Sequence, residues 1–366
     1  MADQNVIILT SNEAAHNLLA KQGATFSDRP HFIVAQELAL QVSKIYTLFY
    51  SHWEKQRALH SGNLERGLRG TSWNFSRQMQ RAIDAMKEID MPVEELALNI
   101  GIMSDAALDA STEMMMCFLV ACITEGHRGW MAKAQDDMDR GVGGGRLPGF
   151  EDRLGLPYIN VIVEELLRWR PAGAAGVPHF SKVEGNYEGY RIPANSVVIP
   201  NHWSITREEA VFGPDVESFV PEQWLGEGFP TVRFGYGRRV CPKRHIARNS
   251  LWIFDARLLW AFDIKPGLNK LGEPVEVDTK GTDGLVTKPL PFKARFVPSG
   301  DWVREVVTRE GDTWGLSPYA KTNVSSIEPS YCLSGSIDLN PDLTILLPHE
   351  LSDHSSAINR TFVLAH

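Results

Sequence analysis

Basic clusters, secretory leaders, long apolar spans and paired cysteines are all scarce or missing in this chain, and each absence removes a class of protein. Its 366 residues carry a net charge of −8, and no block of lysine and arginine stands out. Phosphate recognition needs a clustered basic face, so nucleic acid is not expected as a partner. The opening M-A-D-Q-N-V-I-I-L-T lacks the basic segment and apolar run of a secretory signal. The most apolar stretch, Met114 to Ile123, is shorter than the roughly 20 residues that cross a bilayer, and reads as a buried helix. Cys117, Cys122, Cys241 and Cys332 do not form a disulfide framework, so an intracellular, reducing location is expected. The glycine-rich G-V-G-G-G-R-L-P-G (Gly141 to Gly149) fits neither a phosphate-cradling loop nor a dinucleotide fingerprint, so no nucleotide site is expected.

What is present is a globular composition, 43% hydrophobic and 22% charged, with enough length for a deep core. V-I-I-L predicts a strand. Ser11-Asn12-Glu13 then predicts a capped helix that Gly23 ends. Residues 41–140 read as almost wholly helical, with a helix start at Met91-Pro92-Val93-Glu94-Glu95 and a long internal helix through the apolar run. A further helix is predicted from Leu156 to Trp169, closed by Pro171. Short strands and turns follow between Tyr187 and Pro200, then another helix up to about Phe262 and a β-rich, proline-punctuated segment to Pro298. From Trp314 onward the chain turns polar, serine-rich and aperiodic. Residues 314–366 are expected to be a poorly ordered tail, the alternative being a small docked β-segment built on L-T-I-L-L. No internal repeat is apparent.

One stretch carries the chemistry: F-G-Y-G-R-R-V-C-P-K-R-H-I-A-R-N, Phe234 to Asn249. It delivers Cys241 to the expected first turn of a helix, with Pro242 suited to the first helical position. Free backbone N–H groups and neighbouring arginines favour a thiolate there. Taken alone, the thiol is either structural or a nucleophile with His245, one turn on, as its base.

The spacing F-x-x-G-x-R-x-C, with Phe234, Gly237, Arg239 and Cys241, resembles the haem-ligand signature of the cytochromes P450, the haem-thiolate monooxygenases. The resemblance implies that Phe234 shields the sulfur and that Gly237 lets the backbone pass under the macrocycle. It implies further that Arg239 meets a haem propionate and that Cys241 is the axial iron ligand. Other segments follow in family order. Glu165-x-x-Arg168 resembles the E-x-x-R pair, although an i,i+3 Glu/Arg pair by itself is usually a solvated helix contact. V-P-H places His179 where the family often sets a residue near a propionate, though alone it reads as a turn histidine. F-G-P-D-V-E-S-F-V-P-E-Q-W-L resembles the segment ending P-E-R-W. S-D-A-A-L-D-A-S-T-E resembles the oxygen-activation segment of the central helix, with Ala107 leaving room for dioxygen and Asp109 and Ser111 as proton carriers. On its own that stretch is a helix with small residues for packing.

Four departures bear on activity. Ala110 replaces the proton-relay threonine, with Ser111 next to it. Gln223 replaces the arginine of P-E-R-W, and can hydrogen-bond Glu165 or Arg168 but brings no charge. Lys243 replaces the glycine where the helix approaches the haem, so its side chain must swing aside or push the helix back. A helical stretch the family carries near residue 40 is absent. Trp53-x-x-x-Arg57 has the spacing of the family's other propionate pair, but stands too near Asp109 in sequence and reads as surface packing.

The resemblance implies a mainly α fold with small β-sheets, a P450 fold without the N-terminal anchor and part of the N-terminal helical region, spanning residues 1–313. It implies haem b, electrons from NADPH through a separate NADPH–cytochrome P450 reductase, and oxidation of a small apolar molecule with O2 in fungal secondary metabolism. Family members usually sit on the endoplasmic reticulum membrane. Two other readings stand beside the enzyme: an inactive derivative, and a scaffold that keeps the fold but not the chemistry.

Overall fold

The computed structural model describes residues 5–30, 43–86, 91–226, 229–230, 233–282 and 286–313. The predicted tail and most of the segment around residue 40 lie outside these residues, as do the side chains of 43–53.

The elements follow the hydrophobic pattern closely. Strand β1 (Val6–Leu9) leads into helix α1 (Asn12–Ala15), where the Ser11 hydroxyl caps the Ala14 amide at 3.3 Å. The chain then widens into a π turn, His16–Lys21, whose end is marked by Gln22 N donating to Asn17 O at 3.2 Å. Gly23 does not end the helix as expected; it begins α2 (Gly23–Phe26). The predicted helical region resolves into α3 (Ser43–Arg69), α4 (Phe75–Ala85), α5 (Val93–Glu125) and α6 (Trp130–Gly141). Then come α7 (Pro157–Trp169), strands β2 (His179–Ser181), β3 (Gly185–Tyr187), β4 (Tyr190–Ile192) and β5 (Ser196–Pro200), and the short helices α8 (His202–Ile205) and α9 (Glu209–Phe212). Helix α10 (Arg244–Ala261) runs directly into β6 (Phe262–Pro266), which pairs antiparallel with β7 (Ala294–Pro298) ahead of α11 (Trp302–Thr313). The fold is mainly α with small sheets, as the resemblance implies. The expected β-rich segment reduces to that one pair and isolated bridges such as Leu268 with Pro274.

The principal core lies where α5, α6, α7 and α10 meet, around the fully buried Phe118, Trp130, Ile162, Trp169, Trp252 and Leu259. Trp130 and Trp169 both pack on Phe219, at centroid distances of 4.9 and 5.7 Å. Among the described residues, Val93–Arg128 is long and apolar enough to cross a membrane. Its C-terminal half, Met114 to Cys122, is buried in this core, as the apolar run predicts.

A smaller core joins the N-terminal unit to the sheet. Strand β5 is central, parallel to β1 (Val6 opposite Val197) and antiparallel to β2 (His179 opposite Val198). Leu18, Leu19 and Phe26 bury against Ile192, Val198 and Tyr236. The N-terminal segment is thereby seated against the cysteine loop.

Candidate functional site

Helix α7 anchors the site. Glu165 and Arg168 are buried completely, contrary to the ordinary fate of an i,i+3 pair. Arg168 donates to both Glu165 oxygens, Nε at 2.8 Å and Nη2 at 2.7 Å. Its remaining N–H groups reach Thr206 O at 3.2 Å, Val216 O at 2.8 Å and Ser218 O at 2.8 Å. Glu165 accepts from Val220 N at 2.8 Å and Trp224 Nε1 at 2.8 Å. Gln223 adds a third bond, as its replacement of arginine allows, with Nε2 at 2.6 Å from Oε2. A charge pair in the interior survives only when its valences are filled in this way. The network fastens α7 to the meander over residues 206–224.

The cysteine loop lies beside that meander. Cys241 N donates to Phe234 O at 2.8 Å, closing the loop on itself. Cys241 does not occupy the first helical turn as expected. Helix α10 starts at Arg244, with Lys243 in the N-cap position, so Pro242 and Lys243 form a turn between thiol and helix. The macrodipole fades within a turn of the helix end, so the aim of the thiol is set by the loop.

Gly237 has a role in the fold of its own. Its φ is +54°, and a Cβ there would stand 2.3 Å from Leu19 O, the carbonyl offered by the π turn. This glycine lets the loop approach the N-terminal backbone closely. Arg239 reinforces the same seam, donating from Nε to Ser27 O at 2.7 Å.

Cys241 faces a cavity of about 430 Å³. One wall is a stripe of α5, Ala106, Ala107, Ala110, Ser111 and Met114, the helical spacing of one face. Phe234, Gly235 and Ala247 line the cysteine side. Arg29, His179, His202 and Arg239 bring positive or polarisable groups to the lining. Asp109 is exposed on a side of α5 turned away from the stripe, while Ser111 lies within it. Arg57 is paired with Glu54 and Glu94 at 3.5 and 3.2 Å on the outside of α3.

Electrostatics sort these groups. His179 is buried, its Nδ1 2.7 Å from Phe26 O. Burial, opposed by that hydrogen bond and helped by Arg29 and Arg239, lowers its pKa to about 4, so the ring is neutral near pH 7. His202 is held likewise, Nδ1 3.1 Å from Gly173 O, and burial lowers it too. Arg29 donates to Pro178 O at 2.7 Å, and burial beside Arg239 pulls it below the ordinary arginine value. Sequence reasoning passed over Arg29, because a lone arginine before a proline has no spacing signal. Lys243 also lines the cavity, its amine lowered by burial against the opposing pull of Cys241 and Asp105.

The donor set suits a haem. One sulfur faces a largely apolar chamber, alanines of α5 line part of it, and arginine and histidine groups stand ready for carboxylates. Buried polar atoms point the same way: His202 Nε2 and Arg233 Nε and Nη1 have no partner among the described residues. Lys243 is the one lining group that does not fit.

A mainly helical protein with a loop cysteine facing an apolar chamber has an arrangement that suits a haem-thiolate protein. The family model described as Cytochrome P450 matches residues 74–296, and the chain belongs to that family. It is 36% identical over 260 residues to the cytochrome P450 monooxygenase FrzL of Cladobotryum sp, covering 70% of this chain and 49% of FrzL. It is 36% identical to peniB of Penicillium patulum, covering 67% and 47%, and 35% identical to drtD of Aspergillus calidoustus, covering 76% and 52%. The chain spans about half the length of the curated relatives it matches.

Proposed function

We propose that the chain is a haem-dependent monooxygenase that oxidises a small apolar molecule in fungal secondary metabolism. The carrying observation is Cys241, set by the closed loop against an apolar cavity that the small-residue face of α5 also lines. Haem b bound there supplies the activation of dioxygen; the protein holds it and shapes its surroundings. Cys241 would hold the haem iron, Phe234 would be its apolar cover, and Gly237 the close-approach residue that seats the loop. Arg239, Arg29 and His179 would take the propionates, His179 gaining a proton as it does so. Alanines at 106, 107 and 110 leave room for dioxygen and an apolar substrate. Ser111 is the hydroxyl in the cavity stripe suited to passing protons, and Asp109 stands where a carboxylate exchanges protons with bulk water. NADPH electrons would arrive through a separate NADPH–cytochrome P450 reductase.

The test is a ferrous–CO spectrum of haemin-reconstituted protein. A thiolate-type, red-shifted Soret band in the wild type, lost in Cys241→Ser, is the expected result; a wild type without that band overturns the reading.

A catalytically silent derivative is the second reading, favoured by the Lys243 side chain in the cavity. Turnover of an apolar substrate with purified reductase and NADPH would exclude it.

A further inference from the structure

Next to the buried Glu165, helix α7 carries a second carboxylate. Glu164 accepts from Arg248 Nε at 2.7 Å and also holds the Arg233 guanidinium. These arginines bracket the cysteine loop. Arg233 immediately precedes Phe234, and Arg248 sits in the second turn of α10, just beyond Cys241. Between them the Cys241 amide closes the loop on Phe234 O at 2.8 Å.

The surroundings make the bracket stiff. The Arg233 side chain is only 2% exposed, and its guanidinium lies 4.3 Å from the Trp224 ring centre. The same indole donates to Glu165 at 2.8 Å, so the two carboxylates share one frame. The Arg248 guanidinium lies 4.9 Å from the ring centre of Phe234, inside the loop itself. Arg233 Nε and Nη1 have no hydrogen-bond partner among the described residues. Among the described residues Glu164 is therefore its hydrogen-bonded counter-charge, with Glu165 adding a further attraction, and removing the paired carboxylate leaves much of the buried charge uncompensated.

We propose that Glu164 is a positioning residue for Cys241, clamping both ends of the cysteine loop to α7 through Arg233 and Arg248. The inference rests on Cys241 as the axial thiolate, but its primary test needs no cofactor. Without the carboxylate, Arg233 is driven toward water and draws the start of the loop with it. Arg248 then loses its hold on α7 beside Phe234. The thiol keeps its place in sequence but loses its aim.

The experiment is hydrogen exchange by mass spectrometry on the full chain, comparing wild type, Glu164→Gln, Glu164→Asp and Arg248→Gln. In Glu164→Gln, amides 234–241 are expected to exchange roughly tenfold faster or more, while 251–261 of α10 stay protected. Glu164→Asp should recover part of the protection, and Arg248→Gln should show a smaller rise. In haemin-loaded samples, Glu164→Gln should lose thiolate-type ferrous–CO signal that Glu164→Asp retains. Loop exchange unchanged in both Glu164→Gln and Arg248→Gln overturns the clamp. So does a rise spread equally through α7 and α10. A wild type lacking the thiolate-type band overturns the haem reading instead, so the two failures are distinct.

Discussion

Gln223 Nε2 lies 2.6 Å from Glu165 Oε2, placing a neutral amide where a third charge would otherwise join the Glu165–Arg168 pair. The carboxylate is saturated without that charge, because backbone and indole donors fill its other valences. Truncating either member of the pair should therefore be far costlier than truncating the amide. Arg168→Ala is expected to destabilise the fold by about 3–5 kcal/mol, since a buried carboxylate is left uncompensated. Gln223→Ala should cost about 1 kcal/mol. Urea denaturation of the two variants gives the comparison, and similar midpoints would contradict it.

Gly237→Ala tests the seam between the cysteine loop and the π turn. The residue has φ +54°, and an added methyl would meet Leu19 O at 2.3 Å and Ala20 Cα at 2.9 Å. Both neighbours are backbone and cannot turn away. A loss of about 2 kcal/mol is expected, together with faster hydrogen exchange around residues 16–21. Gly226→Ala, where an added Cβ meets nothing within 4 Å among the described residues, is the control and should be near neutral.

Much of the fold was readable because its signals are local. The helices α5 and α7 follow the apolar period, and the Ser11 cap and the Leu156–Trp169 helix appear where the residues put them. Long-range relations were not readable. The small side chains of α5 announced the helix, but which of Asp109 and Ser111 faces the cavity depends on the helix's rotation against partners distant in sequence. Likewise the glycine in F-x-x-G marks a close approach without saying to what, and the answer is Leu19, more than two hundred residues earlier. Arg29 reaches the cavity only because β2 and the N-terminal unit pack together. The buried Glu165–Arg168 pair is the reverse case: local rules favoured a solvated contact, and tertiary burial overrode them.

Lys243 is expected to weaken cofactor uptake by occupying space in the cavity that Cys241 faces. Haemin titration of the apo-protein, followed by Soret absorbance, should give Lys243→Gly roughly tenfold tighter binding than the wild type. Lys243→Met keeps the length and removes the charge, so it separates bulk from electrostatics. Equal affinity in wild type and Lys243→Gly would show that the side chain swings aside at no cost.

His179 should give the protein an acid-side liability. Its folded pKa of about 4 lies below the ordinary histidine value of 6.5, so the unfolded state takes up the proton first. The associated stability is fully present above pH 6.5 and is lost as pH falls toward 4, on the order of 3 kcal/mol in all. Urea midpoints measured between pH 7 and 4.5 should fall more steeply for the wild type than for His179→Asn. Parallel profiles would remove His179 as the cause.

Asp255 acts with the opposite sign. It is fully buried in α10, neither carboxyl oxygen has a hydrogen-bond partner among the described residues, and burial raises its pKa well above 3.8. Nearby Cys122 is also pushed up, by burial first and then by the Asp255 carboxylate. The folded state therefore retains a proton that the unfolded state releases above about pH 3.8, so this residue's contribution worsens as pH rises from there toward the raised folded value. Asp255→Asn keeps the shape and cannot ionise. Near neutral pH it should stabilise the protein and flatten the decline on the alkaline side of pH 4. Because His179 tilts the profile the other way, the informative quantity is the difference between variant and wild type at each pH. A difference that does not grow with pH would mean that Asp255 ionises as readily in the folded state as in the unfolded one.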